Sequence, residues 1–341
     1  MNFDPNARAA SDSGVFGLPH SAEQARLILI AVPWEATTSY GGGTARGPEA
    51  ILNASRQVDL FDLETGKAYE SGYHMLPLPT ELVAKNSRAK EMAEKVRELE
   101  DSSAPVEKIE HLQDQVNQLC QEMNAWVYQT AKTWLAKGKL VGLVGGDHST
   151  PLGLIQALSE NLKGDFGVLH IDAHHDLREA YEGFTYSHAS IFWNVMEQKW
   201  APKKLAQVGI RDFSEEEFLY AKEKNISVLY DIHAQQKKAQ GVRWSDICAE
   251  LVQTLPKNIY VSFDIDGLAP TYCPNTGTPV PGGLEFGEAL VLLKTIRDSG
   301  RKIVGFDLNE VSPGSSDSEW DGNVGARMLY KLCGWTIVSQ S

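Results

Sequence analysis

Short, nearly continuous apolar runs recur along the chain, and each ends in turn-forming or polar residues. They lie at 27–32, 140–144, 166–171, 206–210, 226–230, 259–263 and 303–306. Such runs are typical of strands that are buried on both faces of a parallel sheet. Helix-like segments lie between most of them, at 151–162, 215–223, 244–255 and 286–299. This alternation predicts a single α/β domain over residues 1–341, with helices on both faces of a mostly parallel sheet.

The segment 81–123 departs from this alternation, because it is highly charged and contains no strand candidate. Two apolar stripes at helical spacing run through it. They comprise Met92, Val96 and Leu99, followed by Ile109, Leu112, Val116, Leu119 and Met123. The second stripe has the spacing of a narrow coiled-coil seam, and residues 101–105 would break the two helices apart. We predict a helical hairpin inserted within the domain and packed on it, with an oligomer contact or a lid as the alternative role.

The charge balance restricts the class of partner. The chain has 32 Lys and Arg against 45 Asp and Glu, which gives a formal net charge of −13. Such an acidic chain repels phosphate backbones and anionic lipid, so we expect neither nucleic acid nor a membrane as a partner and favour a small cation.

Cellular location is predicted from three further features. The four cysteines are widely scattered, which is typical of a reducing compartment. Residues 1–5 lack the basic and apolar regions of a signal peptide, and no apolar run approaches the roughly 18 residues that a membrane span needs. We therefore expect a cytoplasmic protein.

Histidines and aspartates concentrate where three of the predicted strands end. The sequences are Gly-Gly-Asp-His-Ser at 145–149, Asp-Ala-His-His-Asp at 172–176 and Ser-Phe-Asp-Ile-Asp at 262–266. This carboxyl edge is where open α/β sheets bind ligands. Alternate side chains of an extended segment share a face, so Asp172, His174 and Asp176 would point together. Asp264 and Asp266 would do the same.

Carboxylates concentrated in this way would repel one another unless cations neutralised them. Mixed carboxylate and imidazole ligands suit Mn²⁺ and related first-row ions, whereas the missing thiolates argue against a structural zinc site. Two ions roughly 3.5–4 Å apart could share carboxylates and lower the pKa of a water held between them. The three clusters therefore predict a metal-dependent hydrolase.

The three motifs resemble the signatures of the ureohydrolase family, which includes arginase, agmatinase, guanidinobutyrase and formiminoglutamase. The similarity extends from about Val32 to Val311, with 81–123 as an unusual insertion. It implies a three-layer α/β/α sandwich, a homo-oligomer (trimer or hexamer), and two divalent ions per chain, with Mn²⁺ expected and Ni²⁺ as the alternative. One implied ligand set is His148, Asp172, Asp176 and Asp264. The other is Asp172, His174, Asp264 and Asp266.

Three further matches imply hydrolysis of a guanidino compound to urea and an amine. His188 follows Asp176 at about the distance of the family's proton-shuttling histidine. Glu310 corresponds to the glutamate that binds the guanidinium group, and Thr278 matches a threonine that lines the same pocket. The alternatives are that His188 is a packed loop residue and that Glu310 is the ion-pair partner of Arg301 or Arg327.

The motifs leave the tail of the substrate open. Arginases have Asn two residues beyond the second motif, where this chain has Arg178. Directed into the site, Arg178 would favour a carboxylate tail or no tail; paired with Glu179 or Glu182, it would have no influence. We expect a substrate of the agmatine or guanidinobutyrate type. The alternatives are free guanidine with nickel, formiminoglutamate, and a catalytically silent, metal-holding partner subunit.

Overall fold

A single sheet of eight parallel strands crosses the described residues (3–102, 104–314 and 318–341) of the computed structural model. Its order is β2-β1-β3-β8-β7-β4-β5-β6. In chain order the strands are β1 (Leu27–Val32), β2 (Tyr73–Met75), β3 (Leu140–Gly145), β4 (Gly167–Ile171), β5 (Lys204–Val208), β6 (Ser227–Leu229), β7 (Asn258–Asp264) and β8 (Lys302–Asn309). The predicted parallel α/β sheet is confirmed.

Helices cover both faces of this sheet. They are α1 (Gly47–Ser55), α2 (Thr80–Asp101), α3 (Val106–Ala136), α4 (Leu152–Leu162), α5 (Ile191–Met196), α6 (Glu215–Glu223), α7 (Asp231–Ala239), α8 (Trp244–Gln253), α9 (Phe286–Asp298) and α10 (Trp320–Val338). Helices α2 to α6 share one apolar core with the sheet, whereas α1 and α7 to α10 share the other. The architecture is therefore the three-layer α/β/α sandwich.

Strand β1 illustrates why the strands are continuously apolar. Leu27 and Leu29 belong to the core on one face of the sheet, and Ile30 and Val32 belong to the core on the other. Every residue of the strand is buried. A strand covered on both faces has no solvent side on which polar residues would alternate.

Two elements differ from the sequence-based expectation. Strand β5 occupies Lys204–Val208 rather than 206–210, because its pairing with β4 begins at Lys204. Strand β2 was not predicted, since its three residues at the edge of the sheet form no apolar run.

Helices α2 and α3 pack against each other along the apolar stripes of the sequence. Val96, Val116 and Met123 are fully buried there. Helix α3 continues beyond 123 to Ala136 and packs closely on α4, where a Cβ at Gly153 would lie 2.3 Å from the Asn124 carbonyl oxygen. We call this pair of helices the α2–α3 hairpin. No helix in the described part of the chain has the length and apolar character needed to cross a membrane.

The turn after β3 ties three strand ends together at Gly146. Its N–H donates to the Val32 carbonyl at 3.0 Å, and its own carbonyl accepts from the Glu310 N–H at 2.8 Å. A Cβ at this position would lie 1.8 Å from the Trp34 carbonyl oxygen. The close approach requires glycine, and it holds the residues that follow β3 and β8 side by side.

We expect Gly146→Ala to destabilise the fold by about 3 kcal/mol, the upper part of the range for overpacking a close contact. Gly287→Ala is the matched control, because Gly287 lies in α9 with no atom within 4 Å of the added Cβ. It should be neutral or stabilising by up to ~1 kcal/mol. Urea unfolding followed by circular dichroism measures both. Equal stability of the two variants would show that the backbone at 146 has room to move.

Candidate metal centre and substrate cleft

Four neighbouring strands bring the predicted site residues to one edge of the sheet. In the order β3, β8, β7 and β4, their carboxyl ends lead to His148, Glu310, Asp264 and Asp172. The register pairs Ile171 with Phe263, so the aspartates that follow these two residues emerge at the same level. The sheet therefore brings the three sequence motifs together.

A first group of possible metal ligands, called the first donor group, surrounds Nδ1 of His148. This nitrogen lies 3.0 Å from Asp172 Oδ2, 3.3 Å from Asp176 Oδ2 and 3.1 Å from Asp264 Oδ2. One imidazole nitrogen carries at most one proton, so it cannot satisfy three carboxylate oxygens at once. The arrangement suits a cation held between the nitrogen and the three oxygens.

A second group of donors surrounds His174. Its Nδ1 lies 3.4 Å from Asp172 Oδ1 and 3.2 Å from Asp266 Oδ2. Asp172 thus presents one carboxylate oxygen to each group. The second oxygen of Asp264, Oδ1, accepts the Asp266 N–H at 2.9 Å. Asp172 therefore faces both groups, whereas the shared role implied for Asp264 stays a prediction.

The electrostatics of the two groups fit divalent cations. Burial raises the pKa of Asp176 to about 7, and the charge of Asp172 adds to this effect. Burial and the neighbouring Asp266 and Asp172 raise the pKa of Asp264 well above its usual value. Buried carboxylates at this density require positive charge if they are to remain ionised. The oxygen and imidazole donors suit first-row ions such as Mn²⁺ and Ni²⁺.

Hydrogen bonding at Nε2, on the side of the ring away from the carboxylates, sets the tautomer of His148. Its Nε2 lies 2.8 Å from Ser262 Oγ, and that hydroxyl donates to Asp307 Oδ1 at 2.9 Å. Because the hydroxyl proton is used on Asp307, His148 must donate from Nε2. With this proton on Nε2, Nδ1 can present its lone pair to a cation held among the carboxylates.

His170 orients Asp172 by the same logic. Gln207 Nε2 donates to His170 Nδ1 at 2.9 Å, so the proton of His170 lies on Nε2, which is 2.7 Å from Asp172 Oδ2. Gln207 Oε1 also lies 2.6 Å from Nδ1 of His175. Sequence reasoning missed Gln207, although a polar residue inside an apolar strand was the available signal.

Glu310 lies beside the first donor group, in a cleft of about 260 Å³. Its Oε1 accepts the His148 N–H at 2.9 Å, whereas Oε2 is buried with no hydrogen-bond partner among the described residues. Burial and the charge of Asp147 raise the pKa of Glu310 well above its usual value. Its φ of +63° is a strained conformation for a non-glycine residue. The backbone thus holds Oε2 of Glu310 in a buried position where it lacks a hydrogen-bond donor.

Neither arginine suggested as a partner for Glu310 reaches it. Arg301 donates to the carbonyls of Leu255 and Gln253, and Arg327 donates to Asn323. The ion-pair alternative for Glu310 is therefore wrong.

Thr278 and His188 line the same cleft as Glu310. Thr278 Oγ1 lies 3.5 Å from Asp266 Oδ2, and the His188 N–H donates to Thr37 Oγ1 at 3.4 Å. Burial and the nearby positive charges of His174 and Arg97 lower the pKa of His188 to about 3. His188 is therefore neutral near pH 7.

Arg178 also lines the cleft, and its charge is partly offset. Its Nε lies 3.6 Å from Glu217 Oε2, and its guanidinium group lies 5.0 Å from the centre of the Tyr181 ring. Of the two alternatives for Arg178, the pairing with Glu179 or Glu182 is wrong, because its ion-pair partner is Glu217.

The sheet and its donor groups define an α/β/α protein suited to binding divalent metal at the carboxyl ends of its central strands. The chain belongs to the arginase family, whose sequence model matches residues 25–334. It is 34% identical over 293 residues to the N(1)-aminopropylagmatine ureohydrolase of Thermus thermophilus, which covers 85% of this chain and 84% of that protein. It is 28% identical to the agmatinase of Bacillus anthracis, and the alignment covers 98% of this chain and 99% of that protein.

A solved structure has the same fold. The proclavaminate amidino hydrolase of Streptomyces clavuligerus superimposes with a TM-score of 0.73 at 24% identity, covering 98% of this chain and 100% of that one. The sequence model confirms the predicted family, and this solved structure confirms the predicted fold.

We expect Asp172→Asn to abolish binding of both ions, because Asp172 faces both donor groups. Asp176→Asn should leave about one equivalent, since Asp176 faces the first group alone. The measurement is metal content per chain after loading with Mn²⁺ and gel filtration. Two full equivalents in Asp172→Asn would contradict the ligand assignment, and circular dichroism controls for loss of the fold.

Proposed function

We propose that this chain uses two divalent ions to hydrolyse an aliphatic guanidino compound to urea and an amine. The observation that carries the proposal is the buried, unpartnered Oε2 of Glu310 beside the metal-binding groups. A guanidinium group offers planar N–H donors and a positive charge, which together satisfy such an oxygen. The names of the relatives support the same reaction class.

The inner end of the cleft is narrow. Ser39, Gly41, Gly277 and Glu310 line a narrow extension of it. A Cβ at Gly277 would lie 3.0 Å from Glu310 Oε2, so glycine leaves room for a ligand against the carboxylate. A guanidinium bound here has its carbon next to the metal-binding groups.

The reaction needs water as the nucleophile and the transfer of a proton to the leaving nitrogen. When bound, two divalent ions neutralise the aspartates and lower the pKa of water in the site. His188, on the wall of the cleft, takes a proton from this water and delivers it to the nitrogen that carries the tail. The oxygen of water bonds to the guanidinium carbon, the bond between that carbon and the tail-bearing nitrogen breaks, and the protonated amine leaves while urea remains.

The outer part of the cleft favours a cationic tail. Arg178 is offset by Glu217, whereas Asp212 is exposed and its carboxylate makes no hydrogen bond or ion pair with the described residues. Tyr181 and Phe213 provide apolar walls for an alkyl chain. These features favour agmatine or its aminopropyl derivative over guanidinobutyrate and formiminoglutamate, whose tails carry carboxylates.

We expect Glu310→Gln to lower kcat/KM by about 10–10²-fold, mainly through KM, because a charge-assisted hydrogen bond is lost. His188→Asn should mainly lower kcat, by about 10²–10⁴-fold. Urea release from agmatine, with Mn²⁺ and Ni²⁺ supplied in turn, measures both. Metal content should stay unchanged in each variant, since neither residue is a ligand. Normal turnover by His188→Asn would remove the shuttle role, and no urea from wild type with any guanidino compound would overturn the proposed function.

We expect Asp212→Asn to raise KM for agmatine by about two- to fivefold, because exposed charge pairs contribute up to ~1 kcal/mol. KM for guanidinobutyrate should fall or stay constant, since a negative charge near its carboxylate is removed. Glu216→Gln is the control, as Glu216 is an exposed acidic residue of α6 outside the cleft lining. Equal effects of Asp212→Asn on both substrates would show that Asp212 does not select the tail.

A further inference from the structure

A tight turn at 181–184 forms part of the wall of the cleft. Tyr181 and Phe184 exchange two backbone hydrogen bonds, of 3.3 Å and 2.9 Å. Glu182 and Gly183 between them have φ values of +53° and +75°, the conformation of a type I′ turn. Phe184 is fully buried in the core, whereas Tyr181 faces the cleft. The turn thus connects the core to the substrate site.

The α2–α3 hairpin holds this turn through polar contacts. Arg97 Nε donates to Glu182 Oε2 at 2.7 Å, and Gln113 Nε2 donates to the Glu182 carbonyl at 3.0 Å. Asn117 Nδ2 donates to the Gly183 carbonyl at 3.2 Å. A Cβ at Gly183 would lie 2.1 Å from Gln113 Nε2, so the hairpin and the turn are in close contact. The non-glycine residue with positive φ in the turn, Glu182, is therefore clamped from two sides.

Arg97 also reaches the second wall of the cleft. Its other guanidinium nitrogen, Nη2, donates to the Thr37 carbonyl at 3.1 Å. Thr37 is buried, and its hydroxyl accepts the backbone N–H of His188 at 3.4 Å. Arg97 and Glu182 are each 24% exposed, so water weakens their pair less than it would at the surface. One side chain of the hairpin thus connects the turn with the segment that holds His188.

The same helix anchors the glycine-rich loop beside the inner end of the cleft. Lys90 of α2 pairs with the buried Glu35. The Glu35 carboxylate accepts the backbone N–H groups of Gly43 at 2.6 Å and Ala45 at 2.9 Å. Asn86 of α2 accepts the Glu35 N–H at 2.7 Å. The 181–184 turn and the glycine-rich loop therefore each have a polar anchor on α2.

Tyr181 transmits the position of the turn to the site. Its ring lies 5.0 Å from the guanidinium carbon of Arg178 and 6.1 Å, edge-on, from the His188 ring. A displacement of the turn would move this aromatic wall outward, since Tyr181 lies directly next to Glu182.

We propose that Arg97 is a positioning residue, and that the α2–α3 hairpin sets the width of the outer cleft by clamping the 181–184 turn to the segment at Thr37. The proposal rests on the proposed function in one respect: the tail of the guanidino substrate is what the turn confines. Loss of the clamp weakens binding of a substrate with an alkyl tail. It spares the binding of a tail-less substrate, because Glu310 and the metal-binding groups belong to strand ends that the hairpin does not clamp.

The experiment compares Arg97→Ala, Glu182→Gln and the double variant with Lys95→Ala, a control on the same helix whose pair with Glu98 is exposed. Steady-state urea release is measured with agmatine and with free guanidine. Arg97→Ala should raise KM for agmatine about tenfold, because the turn that carries Tyr181 loses its charge-assisted hydrogen bond. The relative kcat/KM for guanidine should rise accordingly. The KM of the double variant should be no higher than that of Arg97→Ala, since both substitutions affect the same Arg97–Glu182 contact. Arg97→Lys should restore part of the effect.

Hydrogen exchange provides a readout that does not depend on activity. Peptides spanning 178–190 should exchange faster in Arg97→Ala, whereas peptides from α6 should be unchanged. Unchanged protection at 178–190 would overturn the clamp even if no substrate is turned over. Equal losses of kcat/KM on agmatine and guanidine, together with a lowered Tm, would show that Arg97 only stabilises the fold and would contradict the proposal. A wild-type chain without ureohydrolase activity but with the expected exchange would refute the proposed function and keep the clamp.

Discussion

The concentration of buried negative charge at one edge of the sheet constrains the rest of the structure. Asp172, Asp176 and Asp264 point their oxygens at a single imidazole nitrogen, at distances of 3.0–3.3 Å. In a buried site such carboxylates repel one another strongly, so the fold must hold them rigidly. Cations must offset their charge if they are to stay ionised. The strained backbone of Asp176, with φ +54°, is one sign of this rigidity. The free energy for holding these groups together comes from the two apolar cores that cover the sheet.

Polar residues inside the strands keep the donor groups in their working protonation states. His148 is oriented through Ser262 and Asp307, and Asp172 is oriented through His170. A metal ligand must present a lone pair, and a hydrogen bond on the opposite nitrogen is the simplest way to guarantee it. Ser262, His170 and Gln207 find hydrogen-bond partners among the other polar side chains of this layer. This explains how a sheet buried on both faces tolerates several polar side chains.

The metal-binding part of the site was predictable because its residues lie in short motifs that directly follow apolar runs. The period of a strand fixes which side chains share a face, and the parallel topology brings strand ends together. The substrate-facing part was not predictable in this way. Arg178 pairs with Glu217, and Arg97 pairs with Glu182, across sequence separations that no local pattern encodes. The helical character of 81–123 followed from its spacing, but its polar contacts with the turn depend on how α2 and α3 pack in three dimensions.

The two parts of the site therefore rest on different supports. Glu310 and the metal-binding aspartates are fixed by strand ends and by close glycine contacts, where even a methyl group does not fit. Tyr181 and Arg178 belong to a loop that is held by side-chain hydrogen bonds from the α2–α3 hairpin. Contacts of the second kind are individually weaker and easier to change than the backbone of a parallel sheet. Within such an architecture, substitutions in the hairpin can alter the choice of substrate tail while the hydrolytic centre keeps its geometry.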